Sequence, residues 1–186
     1  MTTAEENEPA YPSELDTWVT LPNGTRLHVR PLRSGEASTV LDLYDHLSSR
    51  TLHQRFHLAT RELPEALLRI LVDVDYHRRL ALVAENATGD DRVVVALANF
   101  GAIDEHSVEL GLVVRDDWQR QRVGSELAHL VMRAAEDRGF HRFVAHILSD
   151  NTAIRRIVKR TGDVLSSKTS GGVTEIAFTR HKPLSH

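Results

Sequence analysis

Glu109 and the arginine-rich turn that follows it are the residues of this chain with the clearest capacity for chemistry. The stretch ELGLVVRDDWQRQRVGS (109–125) carries one carboxylate on an otherwise nonpolar run, then a cationic turn, then the start of an amphipathic helix. Helix N-termini present N–H groups without partners and a partial positive charge, so such a turn is a ready anion site. A carboxylate upstream of an anion site suits acyl transfer from a phosphate-bearing donor to an amine. That reaction needs a place for the carrier, a base for the ammonium and hydrogen bonds to the developing oxyanion. A lysine ammonium, with a pKa near 10.4, is neutral in only about one molecule in 10³ near pH 7, so a base within reach raises the working fraction. Glu109 lies in the apolar run from Val108 to Val114, where partial desolvation would raise its pKa toward neutrality. By strand alternation Glu109, Gly111 and Val113 share one face, and Gly111 would leave room for an acyl group beside the carboxylate. The competing reading is a strand-edge Glu facing solvent.

Other reactive residue types are absent or carry less. The chain has no cysteine, which excludes disulfides, thiolate metal sites and a cysteine nucleophile. His53 and His57 have a helical i, i+4 spacing but no fuller ligand set, and Gln54, Arg55 and Phe56 between them read as an ordinary amphipathic turn; no metal is expected. Asp116 and Asp117 read as partners offsetting Arg115 and Arg120, and Tyr76 to Arg79 as a solvated loop. A formal charge of −3 over 186 residues argues against a nucleic-acid protein driven by bulk charge, so an anion site must be local. No run approaches the 18 apolar residues of a membrane span, and the acidic N-terminus has no apolar signal core; a cytoplasmic location and no membrane partner are expected.

The elements that must position Glu109 and the turn follow from periodicity. Residues 1–13 read as a disordered acidic tail, and 14–186 as a single domain. Asn23-Gly24 between alternating runs predicts a hairpin within residues 17–30, and a helix follows from 34 to 47 with Ser34 as N-cap. A helical turn over 50–58 and a helix opening at Pro64 come next. Runs at 79–85, 92–102 and 107–115 predict three adjacent antiparallel strands, and a helix over 121–138 ends near Gly139. Strand 142–149, helix 151–161 and a final hairpin around Gly171-Gly172 complete the chain. The strand-helix-strand run from 107 to 149 requires a parallel pair joined by a crossover. The fold class is therefore mixed α/β (α+β), with helices on both faces of the sheet. Exposed edge strands at the C-terminal end would permit a homodimer.

Gln119-Arg120-Gln121-Arg122-Val123-Gly124 resembles the acyl-CoA loop of the GNAT N-acetyltransferases, whose pattern is Gln/Arg-x-x-Gly-x-Gly/Ala. Gln119, Val123 and Gly124 match it, and Arg122 stands at the first Gly position. Its side chain would either obstruct the pyrophosphate or pair with a phosphate. In order, VTLPNGTRLHVRPLR (19–33), LSSRTLHQRFH (47–57), VDYHRRLALVA (74–84), ELGLVVRDDWQRQRVG (109–124) and DNTAIRRIVKRTG (150–162) resemble the GNAT domain of the bacterial Pat-type protein lysine acetyltransferases. The resemblance covers essentially residues 15–180.

It implies a mostly antiparallel sheet of about six to seven strands with the parallel pair around a cofactor cleft. It implies acetyl-CoA as cosubstrate and Glu109 as general base in direct attack by a protein lysine. Leu112, Val113 and Val114 would bind the pantetheine amides, and Gln119, Arg120, Gln121, Arg122, Val123, Gly124 and Ser125 the pyrophosphate. Asn151 would lie near the pantetheine arm, cap the following helix, or do both. Many GNAT enzymes have a Tyr where this chain has Val158, so no side-chain acid for the leaving thiolate is evident. The Pat-type protein substrates are acyl-CoA synthetases with a reactive lysine. Two alternatives keep part of this reading: a small-molecule amine N-acetyltransferase, and a non-catalytic acyl-CoA sensor.

Overall fold

The computed structural model describes residues 9–57, 62–87 and 92–181. Strands β1 (Thr17–Thr20) and β2 (Arg26–Pro31) form the predicted hairpin, with Gly24 at φ 86° in its turn. Helices α1 (Ala37–Asp45), α2 (Ser49–Phe56) and α3 (Glu65–Val72) precede the long meander β3 (Arg79–Asn86), β4 (Val93–Ala102) and β5 (Ser107–Val114). Then come α4 (Val123–Glu136), β6 (Arg142–Leu148), α5 (Thr152–Thr161), β7 (Gly162–Ser170) and β8 (Val173–Arg180). Among the described residues the sheet has eight strands in the order β1-β2-β3-β4-β5-β6-β8-β7, one or two more than expected from the sequence. It is antiparallel except between β5 and β6.

Two apolar clusters sandwich the sheet. On one face α4 presents Leu127, Val131 and Met132 at helical spacing to Ala96, Ala98, Phe100 and Phe143. Each large side chain buried this way contributes roughly 1.5–3 kcal/mol. On the other face α1, α2 and α3 bury Leu43, Leu52 and Leu71 against Ala81, Val83, Leu97 and Val113. The alternation of β5 divides its residues between these clusters: Val113 joins the second, while Leu110, Leu112 and Val114 pack on the first.

Some local expectations are corrected. Ser34 does not cap α1; the helix opens at Ala37 after Glu36, and the Ser34 N–H donates to the Tyr76 hydroxyl instead. Ordered packing also begins before residue 14. Pro12 is buried, and the Tyr11 hydroxyl donates to the Pro31 carbonyl at 3.1 Å while its ring stands edge-on to Tyr76. Tyr76 is itself buried, so 76–79 is no simple solvated loop.

Candidate active site

The parallel pairing of β5 with β6 lasts for three residue pairs only, ending at Glu109 with Val144. Beyond that point β5 remains bound to β4 while β6 stays with β8, so the strands part and a gap opens in the sheet. The Arg115 N–H donates to the Val95 carbonyl across β4, so by alternation the peptide groups of Leu110, Leu112 and Val114 turn toward the gap. Such free backbone groups must find partners, and a ligand can supply them. The cavity there holds about 470 Å³.

Its far wall is the turn into α4. Arg122 is the N-cap, at φ 71°, and no side chain caps the first helical turn. The leading N–H groups of α4 therefore lack intrahelical carbonyls and face outward as anion donors. Arg120 also lies in the left-handed region, at φ 60°. Two arginines thus occupy conformations that favour glycine, at a cost of roughly 1–2 kcal/mol each. The backbone keeps the shape of a glycine turn although the first glycine is missing, and both side chains line the cavity. Arg156 and Arg160 of α5 add further positive charge to the lining.

Of the residues singled out in the sequence, Leu112, Val113, Val114, Gln119, Arg120, Arg122, Gly124, Ser125 and Asn151 line this cavity. Glu109, Gln121 and Val123 lie outside the lining. Gln121 ties Asn23 to the Asp117 carbonyl, and Val123 is buried in the core. Gln119 spends its amide on structure, donating to the Val114 carbonyl and the Thr51 hydroxyl at 3.0 and 3.2 Å. Asn151 caps α5, its Oδ1 accepting from the Ile154 N–H at 3.2 Å, and the residue also lines the cavity. Val158 is buried and brings no hydroxyl to the site.

Glu109 is not desolvated as its apolar neighbours suggested. It lies on the sheet where the strands part, and 56% of its side chain is accessible. Its partner is His146, which the sequence reading passed over among eleven histidines. His146 Nδ1 is 3.1 Å from Glu109, and its Nε2 is 3.2 Å from Glu175 on the next strand. Burial works against charging the imidazole, but the two carboxylates outweigh it and raise the His146 pKa above its ordinary value of 6.5. His146 lines the cavity, so Glu109 connects to it through one imidazole. The signal in the sequence was register: His146 and Glu175 are paired across β6 and β8.

The space over Gly111 is also not free for an acyl group. A Cβ there would meet the Arg55 Nη2 at 2.0 Å, because the guanidinium lies across the glycine and donates to Asn99 Oδ1 at 2.9 Å. Arg55, on the amphipathic helix α2, therefore forms part of the cavity wall. What brings it there is Asp116, whose carboxylate accepts from the Ser48 N–H and hydroxyl and from the Thr51 hydroxyl, at 2.9, 2.6 and 2.8 Å. Ser48 in turn caps α2 by accepting from the Thr51 N–H. Burial would raise the Asp116 pKa, but these donors reverse the effect and hold it below the ordinary aspartate value. Asp117, as expected, pairs with Arg115 through two contacts of 2.8 Å.

Comparison with known proteins agrees with this architecture. Residues 26–163 match the acetyltransferase (GNAT) domain family. The chain is 34% identical over 144 residues to "Acetyltransferase Pat" of Mycolicibacterium smegmatis, covering 76% of this chain but only 42% of that relative's length. In fold it is similar to the GNAT domain of S. lividans PAT, with a TM-score of 0.81 at 22% identity, covering 91% of this chain and 99% of the other. It is also similar to yncA, a putative acetyltransferase from Salmonella typhimurium solved with its cofactor acetyl-CoA, with a TM-score of 0.63 at 19% identity over 86% of this chain and 96% of that one.

Proposed function

The chain belongs to the GNAT acetyltransferases, and from that premise we propose that it transfers an acetyl group from acetyl-CoA to the side-chain amine of a protein lysine. The observation that carries the proposal is the gap between β5 and β6, with a basic helix start at one end and a carboxylate at the other. The diphosphate of the cosubstrate sits at the leading N–H groups of α4, with Arg120 and Arg122 beside it. Its pantetheine arm then runs along β5 and pairs its amides with the peptide group of Leu112 and the N–H of Val114, whose carbonyl is held by Gln119, much as an added strand would. One of these N–H groups polarises the thioester carbonyl and holds the oxyanion of the tetrahedral intermediate.

Glu109 accepts the ammonium proton of the acceptor, directly or through one water. His146, 3.1 Å from Glu109, can take the proton onward. The neutral imidazole passes the proton between Glu109 and Glu175 and so returns it to solvent. The amine nitrogen attacks the thioester carbon, the intermediate collapses, and CoA leaves as thiolate to be protonated by water, because Val158 supplies no acid. The 34% identity to a Pat acetyltransferase supports a protein lysine as the acceptor. Within that class, an acyl-CoA synthetase lysine is the candidate carried by the Pat-type resemblance.

The direct test is Glu109→Gln with a lysine peptide acceptor. It should retain acetyl-CoA affinity by calorimetry and lose turnover by about 10²-fold or more at neutral pH. Unchanged turnover removes Glu109 from the role of base, and an absence of acetyl-CoA binding in the wild type removes the reading as a whole.

A further inference from the structure

We propose that Arg55 forms a carboxylate subsite at the closed end of the cavity, accepting the terminal carboxylate of a short dicarboxylic acyl group carried on CoA. The inference rests on the reading that this cavity holds an acyl-CoA. It goes beyond it by assigning which acyl chains the site selects.

The guanidinium is built into the wall rather than laid upon it. It overlies Gly111, where any side chain would collide with it, and Asn99 fixes one of its five donors. Its Nε is inaccessible and has no hydrogen-bond partner among the described residues. No ion pair among the described residues includes it; Glu109 influences it through charge alone, without a contact. Burial lowers its pKa to about 10, so it is still a cation at neutral pH. Its guanidinium carbon also stands 4.9 Å from the centre of the Phe56 ring, yet a buried cation answered only by a ring face and one amide oxygen is costly, and perturbed groups of this kind concentrate at functional sites.

Position decides what answers it. Gly111 lies two residues past the last pairing of β5 with β6, so Arg55 stands where the gap closes. The phosphate-binding turn stands at the opposite, open end. A thioester held along Leu112 and Val114 therefore directs its acyl chain toward Arg55, and a carboxylate at the end of that chain meets the terminal guanidinium N–H donors that Asn99 does not hold. A neutral chain of equal length would press against the same donors and leave them without partners, which sites built for hydrogen bonding reject strongly.

Calorimetric titration of the full chain with acetyl-CoA, succinyl-CoA and butyryl-CoA isolates the charge, because the last two carry acyl chains of equal carbon number. Succinyl-CoA should bind about ten-fold or more tighter than butyryl-CoA. In Arg55→Gln that preference should collapse to about two-fold or less, with Arg55→Lys between. Equal affinities in the wild type overturn the proposal even if Arg55→Gln does not fold, and so does a preference that survives in a folded Arg55→Gln. Equal donor affinities with an Arg55-dependent KM for a carboxylate-bearing acceptor also overturn it, and move the subsite to the acceptor. Acetyl-CoA separates the two levels: if it binds and the ratio is one, only the subsite falls, whereas if no acyl-CoA binds, the acyl-CoA reading falls with it.

Discussion

At the scale of single residues, the pair Glu109–His146 sets how the site responds to pH. Protonated His146 donates to both Glu109 and Glu175, which lowers the basicity that Glu109 would need in the proposed role. The neutral imidazole can donate to only one of them. Because the His146 pKa is raised above 6.5, the wild-type rate should climb as pH passes through that raised value. His146→Gln should move this rising limb of kcat/KM to lower pH, and an unmoved limb would show that Glu109 works independently of its neighbour. The second residue-scale prediction concerns Arg122. Its left-handed backbone costs roughly 1–2 kcal/mol, and a glycine there would remove that strain while losing roughly 0.5–1 kcal/mol to its own unfolded-state freedom. Arg122→Gly should therefore be as stable as the wild type or more stable, by up to about 1 kcal/mol in urea unfolding. It should also bind acetyl-CoA more weakly and with a smaller dependence on salt, since one exposed cation has left the phosphate end. Tighter binding would mean that the side chain obstructs instead.

At the scale of elements, the site depends on how α2 is docked. Nothing in the periodicity of residues 47–57 indicates that this short helix supplies a cavity wall, because its anchor lies 65 and 68 positions away in Asp116. An aspartate beside another aspartate and two nearby arginines reads most simply as a solvated charge cluster, and Asp117 behaves that way. Asp116 differs because its carboxylate meets the capped start of α2, a contact that only the tertiary fold creates. Asp116→Ala should cost about 1–2 kcal/mol in denaturant unfolding through the lost anchor. It should also weaken acyl-CoA binding, because Thr51 loses the acceptor that orients its hydroxyl toward the Gln119 amide, which in turn holds the Val114 carbonyl. Retention of full stability and full affinity would show that α2 is held by its apolar contacts alone. By contrast, α4 and the meander β3-β4-β5 were plain in the sequence: long apolar periods and short polar turns leave little freedom in their assignment.

At the scale of the whole molecule, the order of elements, the parallel pair and the two-faced packing were legible because each follows from periodicity and from the length of the β5-α4-β6 crossover. For the candidate site the sequence could point only to residues that run along the chain, Glu109 and 119–125, of which Gln119, Arg120, Arg122, Gly124 and Ser125 line the cavity. His146, Glu175 and Arg55 escaped because strand register and a remote anchor, not local spacing, bring them to the gap. The same long-range charge contacts predict the response of the fold to acid. Burial would raise Glu36, but the Arg30 guanidinium, with the Thr39 hydroxyl and the Arg33 N–H, lowers it to about 2. A carboxyl whose folded pKa lies below its unfolded value stabilises the fold above the unfolded value and ceases to do so as pH falls. Glu36, with Asp116 and Asp75 shifted in the same direction, should therefore contribute a constant stabilisation above about pH 4.5 that is lost between about pH 4.5 and 2. Glu36→Gln should flatten that acid limb in a pH series of thermal unfolding. The central claim, acetyl transfer from acetyl-CoA to protein lysines through Glu109, is tested most directly by acetyl-lysine mass spectrometry of a soluble lysate incubated with acetyl-CoA and either the wild-type chain or Glu109→Gln. New acetyl-lysine should accumulate with the wild type and fall by about 10²-fold with the variant; equal accumulation with both proteins, or none with either, would contradict it.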